Sequence, residues 1–314
     1  QFLYFIGDSL SFIDPLCLNM PRPIAVVTGA NRGLGFEAAK GIAAAGFDIV
    51  LAVRSAERGR DAAARLRQAV PDAAFHVADG YEATDAKAVA AAAERIAADV
   101  GGRVDVLVNN AGEYVHPEDR KAHSPSELAT RQIAISYTAP LAFTAALAPL
   151  AMRDGGRVVT VTGGLAYPAM VFPRAPEGSA AAALRDRWKA AESPAAVAAL
   201  LNEYRTVVET DPEGRDAAAH GWPVANPYGI AKLALMACAT SAPRHVGVFR
   251  TGAVTVNTMC PGFCKTDMTR GKGVRTPAQG ADTMVWLATA DDVAGVTGKH
   301  FSSRKQVDWR TAKW

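Results

Sequence analysis

Tyr228 and Lys232 stand four apart in "NPYGIAKLALMA", which places them on one face of a helix about one turn from each other. An ammonium beside a phenol stabilises phenolate and draws its pKa down from the reference value of ~10. A phenol so tuned can protonate a carbonyl oxygen while that carbonyl is reduced. By itself the pair is ordinary helix surface. Its meaning comes from the company it keeps.

The first companion is "VVTGANRGLGFEAAKGIA", a strand running into a helix through Gly29, Gly33 and Gly35, with Asn31 and Leu34 in the same turn. Glycines there allow a tight turn and close approach of a pyrophosphate, whose charge the helix N-terminus then stabilises. Tight strand-to-helix turns also use glycine for geometry alone, but this one sits at the first crossover. A dinucleotide site for NAD usually ends its second strand with an acid on the ribose hydroxyls. This chain reads "DIVLAVRSAERGR" and puts Arg54 there, with Arg32 inside the glycine loop as a second cation. Two guanidiniums around a 2′-phosphate would each add about 1.5–3 kcal/mol through charge-assisted hydrogen bonds. The expectation is NADPH over NADH, against the plainer reading of two solvated surface arginines. Asp79, after the third strand, is placed to meet the adenine amino group.

These residues need a scaffold. From residue 24 short β-branched runs alternate with alanine-rich windows. "IAVVT", "DIVLAV", "AAFHVA", "VDVLV", "RVVTVT" and "AVTVNTM" read as strands; 33–45, 55–70 and 84–100 read as helices. Near-continuous apolar strands between helices indicate a parallel sheet covered on both faces, the α/β doubly wound class. At 314 residues and 49% hydrophobic content, one domain over 20–314 is expected. Between about 167 and 226 prolines flank an amphipathic stretch with Leu184, Trp188, Leu200 and Tyr204 as apolar contacts. It reads as a helical insertion before the active-site helix, and Trp222, Tyr167 and Met170 are its candidate pocket residues. Residues 1–19 are apolar, lack the basic start and small-residue cleavage site of a signal peptide, and precede Met20. They read as a leader or added extension, with a native arm packed on the domain as the rival.

The motifs "TGANRGLG" at 28–35, "NNAG" at 109–112, "YGIAK" at 228–232 and "CPGFCKTDM" at 260–268 occur in order and at strand ends. Together they resemble the short-chain dehydrogenase/reductase family, with its Rossmann fold, over residues 24–302. The long stretch before Tyr228 and the ending "FSSRKQVDW" resemble more narrowly the monomeric carbonyl reductases. The resemblance implies that Asn109, Asn110, Ala111 and Gly112 close the floor of the cofactor site. It further implies that Lys232 binds the nicotinamide ribose and tunes Tyr228, while Pro261, Gly262 and Thr266 flank the nicotinamide. A monomer is implied, because the insertion would cover the face through which many members dimerise.

Two positions depart from the family pattern. Where the family carries its catalytic serine, "TVTG" at 160–163 puts Gly163, with Thr162 one residue earlier as a possible substitute. Ser136 stands where the relay asparagine is expected. The asparagine acts largely through its backbone carbonyl and a water, so Ser136 could serve. Loss of a side-chain donor aimed at developing oxyanion typically costs about 2.7–4 kcal/mol. Gly163 is thus the serious departure, and it also opens room for a bulkier substrate.

The expected function is NADPH-dependent reduction of a small-molecule carbonyl or imine, with Tyr228 as proton donor. The alternative is an NADP(H)-binding member that has lost or repurposed reduction, as a sensor or partner protein, or as a cyclase or isomerase with a structural cofactor. Net charge of +3, from interspersed residues, gives no reason to expect nucleic acid. Cys17, Cys238, Cys260 and Cys264 fit neither a disulfide framework nor a zinc site, so no metal and a cytoplasmic setting are expected. No run was expected to reach the ~18 apolar residues of a membrane span. His116 and His123, in the loop after "NNAG", are within reach of the pocket but read as solvated loop histidines, and neither is named catalytic.

Overall fold

The computed structural model describes residues 21–173, 175–211, 217, 219–241 and 254–313. The reading of residues 1–19 lies outside them. Eight strands form one sheet: β1 (Ile24–Thr28), β2 (Asp48–Ala52), β3 (Phe75–Ala78), β4 (Val104–Asn109), β5 (Met152–Val161), β6 (Thr255–Cys260), β7 (His300–Ser302) and β8 (Lys305–Gln306). Their order is β3-β2-β1-β4-β5-β6-β7-β8, parallel throughout except for the antiparallel β7–β8 hairpin. β1 pairs with both β2 and β4, so the chain reverses its direction of winding there. That switch point opens a crevice at the carboxyl ends of the strands, where ligands of such sheets bind.

Alternation along β1 explains the layering. Ala25 and Val27 enter a core with Phe36, Ile42, Leu51 and Met284, while Val26 faces a second core with Val50, Ile96, Leu107 and Phe143. Successive side chains of a strand point to opposite faces, and here both faces are apolar and covered. The first core is closed by α1 (Gly33–Ala44) and α2 (Ala56–Ala69), the second by α3 (Ala86–Asp99). The doubly wound expectation holds, with two differences at the ends. β5 begins five residues earlier than its β-branched run, and β7 and β8, each too short to carry a period, were not foreseen.

Helix α4 (Pro125–Ile133) passes through a π-helical turn (Ala134–Thr138) into α5 (Ala139–Ala151). This continuous stretch, Pro125–Ala151, is long and apolar enough by length and composition to cross a bilayer. The expectation that no such run exists was therefore wrong. Phe143 and Leu147 are fully buried in the second core, so tertiary packing accounts for the apolar run.

The insertion holds α6 (Pro168–Val171), α7 (Ala180–Lys189) and α8 (Pro194–Thr210). The single amphipathic stretch read from the sequence is thus two helices, divided where Ser193 caps α8 ahead of Pro194. Leu184, Trp188, Leu200 and Tyr204 are all buried. They form a third core against Ile230, Leu233 and Ala234 of α9 (Pro227–Ser241). The last long helix, α10 (Pro277–Thr289), packs beside α1.

Candidate active site

The glycine loop sits at the switch point. Gly29 and Gly33 have φ of +67° and +57°, the left-handed region that favours glycine. A Cβ at Gly35 would collide with the Gly29 carbonyl and the Asn110 side chain, so that position admits nothing larger. Thr28 ties the neighbouring strand end to this loop: its Oγ1 accepts from the Asn110 and Ala111 N–H groups at 3.0 Å each, and its carbonyl accepts from Asn110 Nδ2 at 2.9 Å. Asn31, half-buried, completes the turn, and Leu34 leans on Gly280 of α10. Arg32 occupies the N-cap of α1 without a side-chain capping bond, and no acid lies in the first turn. The first N–H groups of a twelve-residue helix are thereby left for an outside acceptor, which suits a phosphate.

The two arginines are exposed, and each already holds a carboxylate. Arg32 Nη1 meets Asp267 Oδ2 at 2.7 Å, and Arg54 Nη1 lies 3.6 Å from Glu82 Oε2. Such exposed pairs are worth about 0–1 kcal/mol, so a dianionic phosphate would displace them. Asp79 is exposed at the end of β3, its carbonyl bonded to Arg95. Thr266 closes the loop from the other side, its Cγ2 3.6 Å from where a Gly33 Cβ would lie. Pro261 is buried at the same strand end, and Gly262 is left-handed, a Cβ there meeting the Arg275 side chain.

Tyr228 is positioned by the start of α9. Asn226 Oδ1 accepts from the Gly229 N–H at 2.9 Å, Pro227 supplies the preset φ of the first helical residue, and a Cβ at Gly229 would strike the capping Asn226. This fixes Tyr228 in the first turn, buried, with its Oη 3.2 Å from where a Gly163 Cβ would be. Gly163 thus does stand against the proton-bearing hydroxyl, with an extended φ of −176° that any residue can adopt. Lys232, one turn on, donates from Nζ to the Val161 carbonyl at 2.9 Å. A Cβ at Gly112 would sit 3.8 Å from the same Nζ, so the "NNAG" turn, β5 and α9 converge on this lysine.

The electrostatics differ from the sequence expectation. Burial pushes the Tyr228 phenol well above its usual value, and Cys260 and Tyr114 add to that; Lys232 does not offset it. Burial also brings the Lys232 ammonium down to about 8. The ammonium donates to a strand carbonyl, and no hydrogen bond joins it to the phenol among the described residues.

Thr162 is not brought to the site as a substitute donor. Its Oγ1 donates to the Met259 carbonyl at 3.0 Å, because side chains alternate along the strand and its hydroxyl is turned onto β6. Ser136 lies in the π-turn, fully buried, with its Oγ lacking any hydrogen-bond partner among the described residues. π-Turns interrupt the regular ladder and recur at functional sites.

Several neighbours were missed. Tyr114, two residues past "NNAG", meets Tyr228 edge to face at 5.3 Å between centroids. An aromatic just beyond a strand-end motif was the available signal. His116 is not a free loop histidine: its Nε2 meets the Met268 carbonyl at 2.9 Å across the crevice. Arg270 pairs with Glu118 and Asp119 of the same loop, so the segments 113–120 and 266–271 are clasped together. Trp222 packs on Tyr204 at 5.5 Å in the insertion core, whereas Tyr167 lines a cavity with Cys260 and Gly262.

This arrangement can bind a nucleotide pyrophosphate over β1 and present a phenol beside it, and the chain as a whole resembles known proteins. A sequence model described as short chain dehydrogenase matches residues 23–173. Carbonyl reductase (NADPH) 1 of Mus musculus is 29% identical over 297 residues, 93% of this chain and 100% of that one. Salutaridine reductase of Papaver somniferum is 28% identical over 305 residues, 86% of this chain and 91% of that one. Its solved structure superposes with a TM-score of 0.71 at 25% identity, covering 89% of this chain and 99% of that chain. The family match runs from β1 through the phosphate loop to the Gly163 strand end, and the relatives extend the likeness past Tyr228 and Lys232: over nearly its whole length this chain is similar to short chain dehydrogenases and carbonyl reductases.

Proposed function

We propose that the chain is an NADPH-dependent reductase of a small carbonyl or imine compound, with Tyr228 as proton donor. The observation that carries this reading is the Tyr228 hydroxyl standing against the bare Gly163 position, with Lys232 one turn on held between the Val161 carbonyl and the Gly112 turn. The uncapped α1 N-terminus and the left-handed glycines fit a pyrophosphate, and Arg32 and Arg54 fit a 2′-phosphate. The name of the mouse relative, carbonyl reductase (NADPH) 1, points the same way. When bound, reduced nicotinamide supplies the hydride. Tyr228 gives its proton to the substrate oxygen or nitrogen, and burial favours this direction by keeping the phenol neutral until the transfer. Lys232 then turns its charge to the phenolate and holds the cofactor ribose, while Ser136 in its π-turn orders a water behind it. A monomer in the cytoplasm belongs to the same reading, supported by the insertion packed over α4 and α9.

With Lys232 at about 8, its charge is present below that pH and lost above it. The reductive kcat/KM should stay level through neutral pH and fall as pH rises through about 8, toward tenfold per pH unit for one essential proton. A profile that stays flat to pH well above that point would remove Lys232 charge from the mechanism.

The direct test is NADPH oxidation by purified protein across aldehydes, quinones, diketones and cyclic imines, run beside Gly163→Ser and Gly163→Ala. Turnover is expected for at least one class. Serine restores a donor and should speed small carbonyls about tenfold, short of the full 10² to 10³ of an oxyanion donor because Tyr228 must give by a few tenths of an ångström. Alanine, which crowds without donating, should slow them. The second reading, a nucleotide-binding member without reductase activity, is favoured by one observation, that Thr162 faces away. Tight NADPH binding with no oxidation by any of the three proteins would establish it instead.

A further inference from the structure

His300 is buried on β7 and bonded at both ring nitrogens, and nothing in the reaction above uses it. Its Nδ1 lies 2.8 Å from Thr258 Oγ1 and its Nε2 lies 3.2 Å from the Tyr167 hydroxyl, with the two rings edge to face at 5.6 Å. The direction of these bonds follows by elimination. Thr258 is fully buried and its hydroxyl has no other hydrogen-bond partner among the described residues. Were Nδ1 protonated, the Thr258 proton would be left unsatisfied in the interior, which is costly. So Thr258 donates to Nδ1, and the ring proton sits on Nε2 and is donated to Tyr167 Oη. The ring is held neutral, since burial brings its pKa down to about 3. The Tyr167 oxygen is then an acceptor from behind, and its own proton is directed to the side of Cys260 and Ser302, both within hydrogen-bonding reach of it. Bonds in such a chain polarise one another and strengthen the terminal donor.

On that side lies a cavity of about 300 Å³, bounded by Tyr167, Cys260, Gly262, Ser302 and the C-terminal residues Val307 and Ala312. Cys260 lies within hydrogen-bonding reach of the Tyr167 hydroxyl and acts electrostatically on the Tyr228 phenol, so both phenols lie near one thiol. Tyr228 does not itself bound the cavity, so a ligand meeting both phenols would have to run from the cavity past Cys260. On the reductase reading given above, we infer that Tyr167 is a substrate-contacting residue that donates a hydrogen bond to a second acceptor on the substrate, and that Thr258 and His300 are positioning residues that aim it. A substrate carrying a second carbonyl or ether oxygen near the reducible group would be selected over one without it.

The test pairs benzil, with two adjacent carbonyls, against deoxybenzoin, the same skeleton with one. Tyr167→Phe should raise KM for benzil about tenfold, the loss of one hydrogen bond to substrate, and leave deoxybenzoin within about twofold. His300→Gln keeps an N–H near the Nε2 position and should behave as wild type, whereas His300→Asn should copy Tyr167→Phe. Equal effects of Tyr167→Phe on both ketones, or none on benzil, would overturn the inference. A second readout does not depend on turnover. In histidine-15N-labelled, NADP+-loaded protein, His300 should show a neutral ring protonated at Nε2, and benzil should shift that nitrogen in wild type but not in Tyr167→Phe. A proton on Nδ1, or an Nε2 signal indifferent to benzil, sinks the inference. Failure to reduce either ketone, with the nitrogen shift intact, would count against the reductase reading alone.

Discussion

Tyr228→Phe is expected to lower kcat/KM for any substrate the wild type reduces by about 10²- to 10⁴-fold, the range set by a lost general acid. The change removes one oxygen and little else. The ring contact with Tyr114 survives in phenylalanine, and so do the Asn226 cap and the Pro227 start of α9. Because the Tyr228 hydroxyl has no protein hydrogen-bond partner among the described residues, its removal leaves no orphaned group. Stability should therefore hold or rise slightly, and NADPH affinity should stay within about twofold, since the pyrophosphate contacts lie on α1. Steady-state kinetics together with cofactor titration separate the possibilities. A mutant that keeps a tenth or more of the wild-type rate would mean that the proton comes from solvent or from the substrate.

The second large effect concerns the choice of nucleotide. Replacing both Arg32 and Arg54 with alanine should weaken NADPH by about 10²-fold, while NADH changes by less than about threefold. Two charge-assisted hydrogen bonds could contribute about 3–6 kcal/mol together, but both guanidiniums are more than half exposed and already paired, so the lower end applies. Nucleotide titration measured by fluorescence at fixed ionic strength is the check. Parallel weakening of the two nucleotides would place the 2′-phosphate elsewhere.

Much of this site was legible because its parts obey local rules. The glycine turn needs left-handed φ at Gly29 and Gly33 and no side chain at Gly35, and only glycine meets those needs. The Tyr228 and Lys232 spacing is a property of any helix. What could not be read were contacts made between distant segments. Thr162 was a plausible donor until the register of β5 against β6 turned it onto Met259, 97 residues away. The low pKa foreseen for Tyr228 assumed that a lysine one turn away must face it, whereas its ammonium donates to the Val161 carbonyl. His300 and Tyr167 are 133 residues apart, in a three-residue strand and a turn, and neither carries a motif.

The clasp across the crevice bears on timing. Arg270, held at a left-handed φ of 51°, together with Glu118, Asp119, His116 and the Met268 carbonyl, bridges the two lips beside the cofactor site. Arg32 and Asp267 extend the same seam. Every charge in it is at least two-fifths exposed, so dissolved ions within a Debye length of about 8 Å at physiological salt weaken all of these links at once. Where chemistry is fast, the departure of product sets the pace of many enzymes, and if spent nucleotide left past this seam, that pace would follow ionic strength through a handful of surface charges.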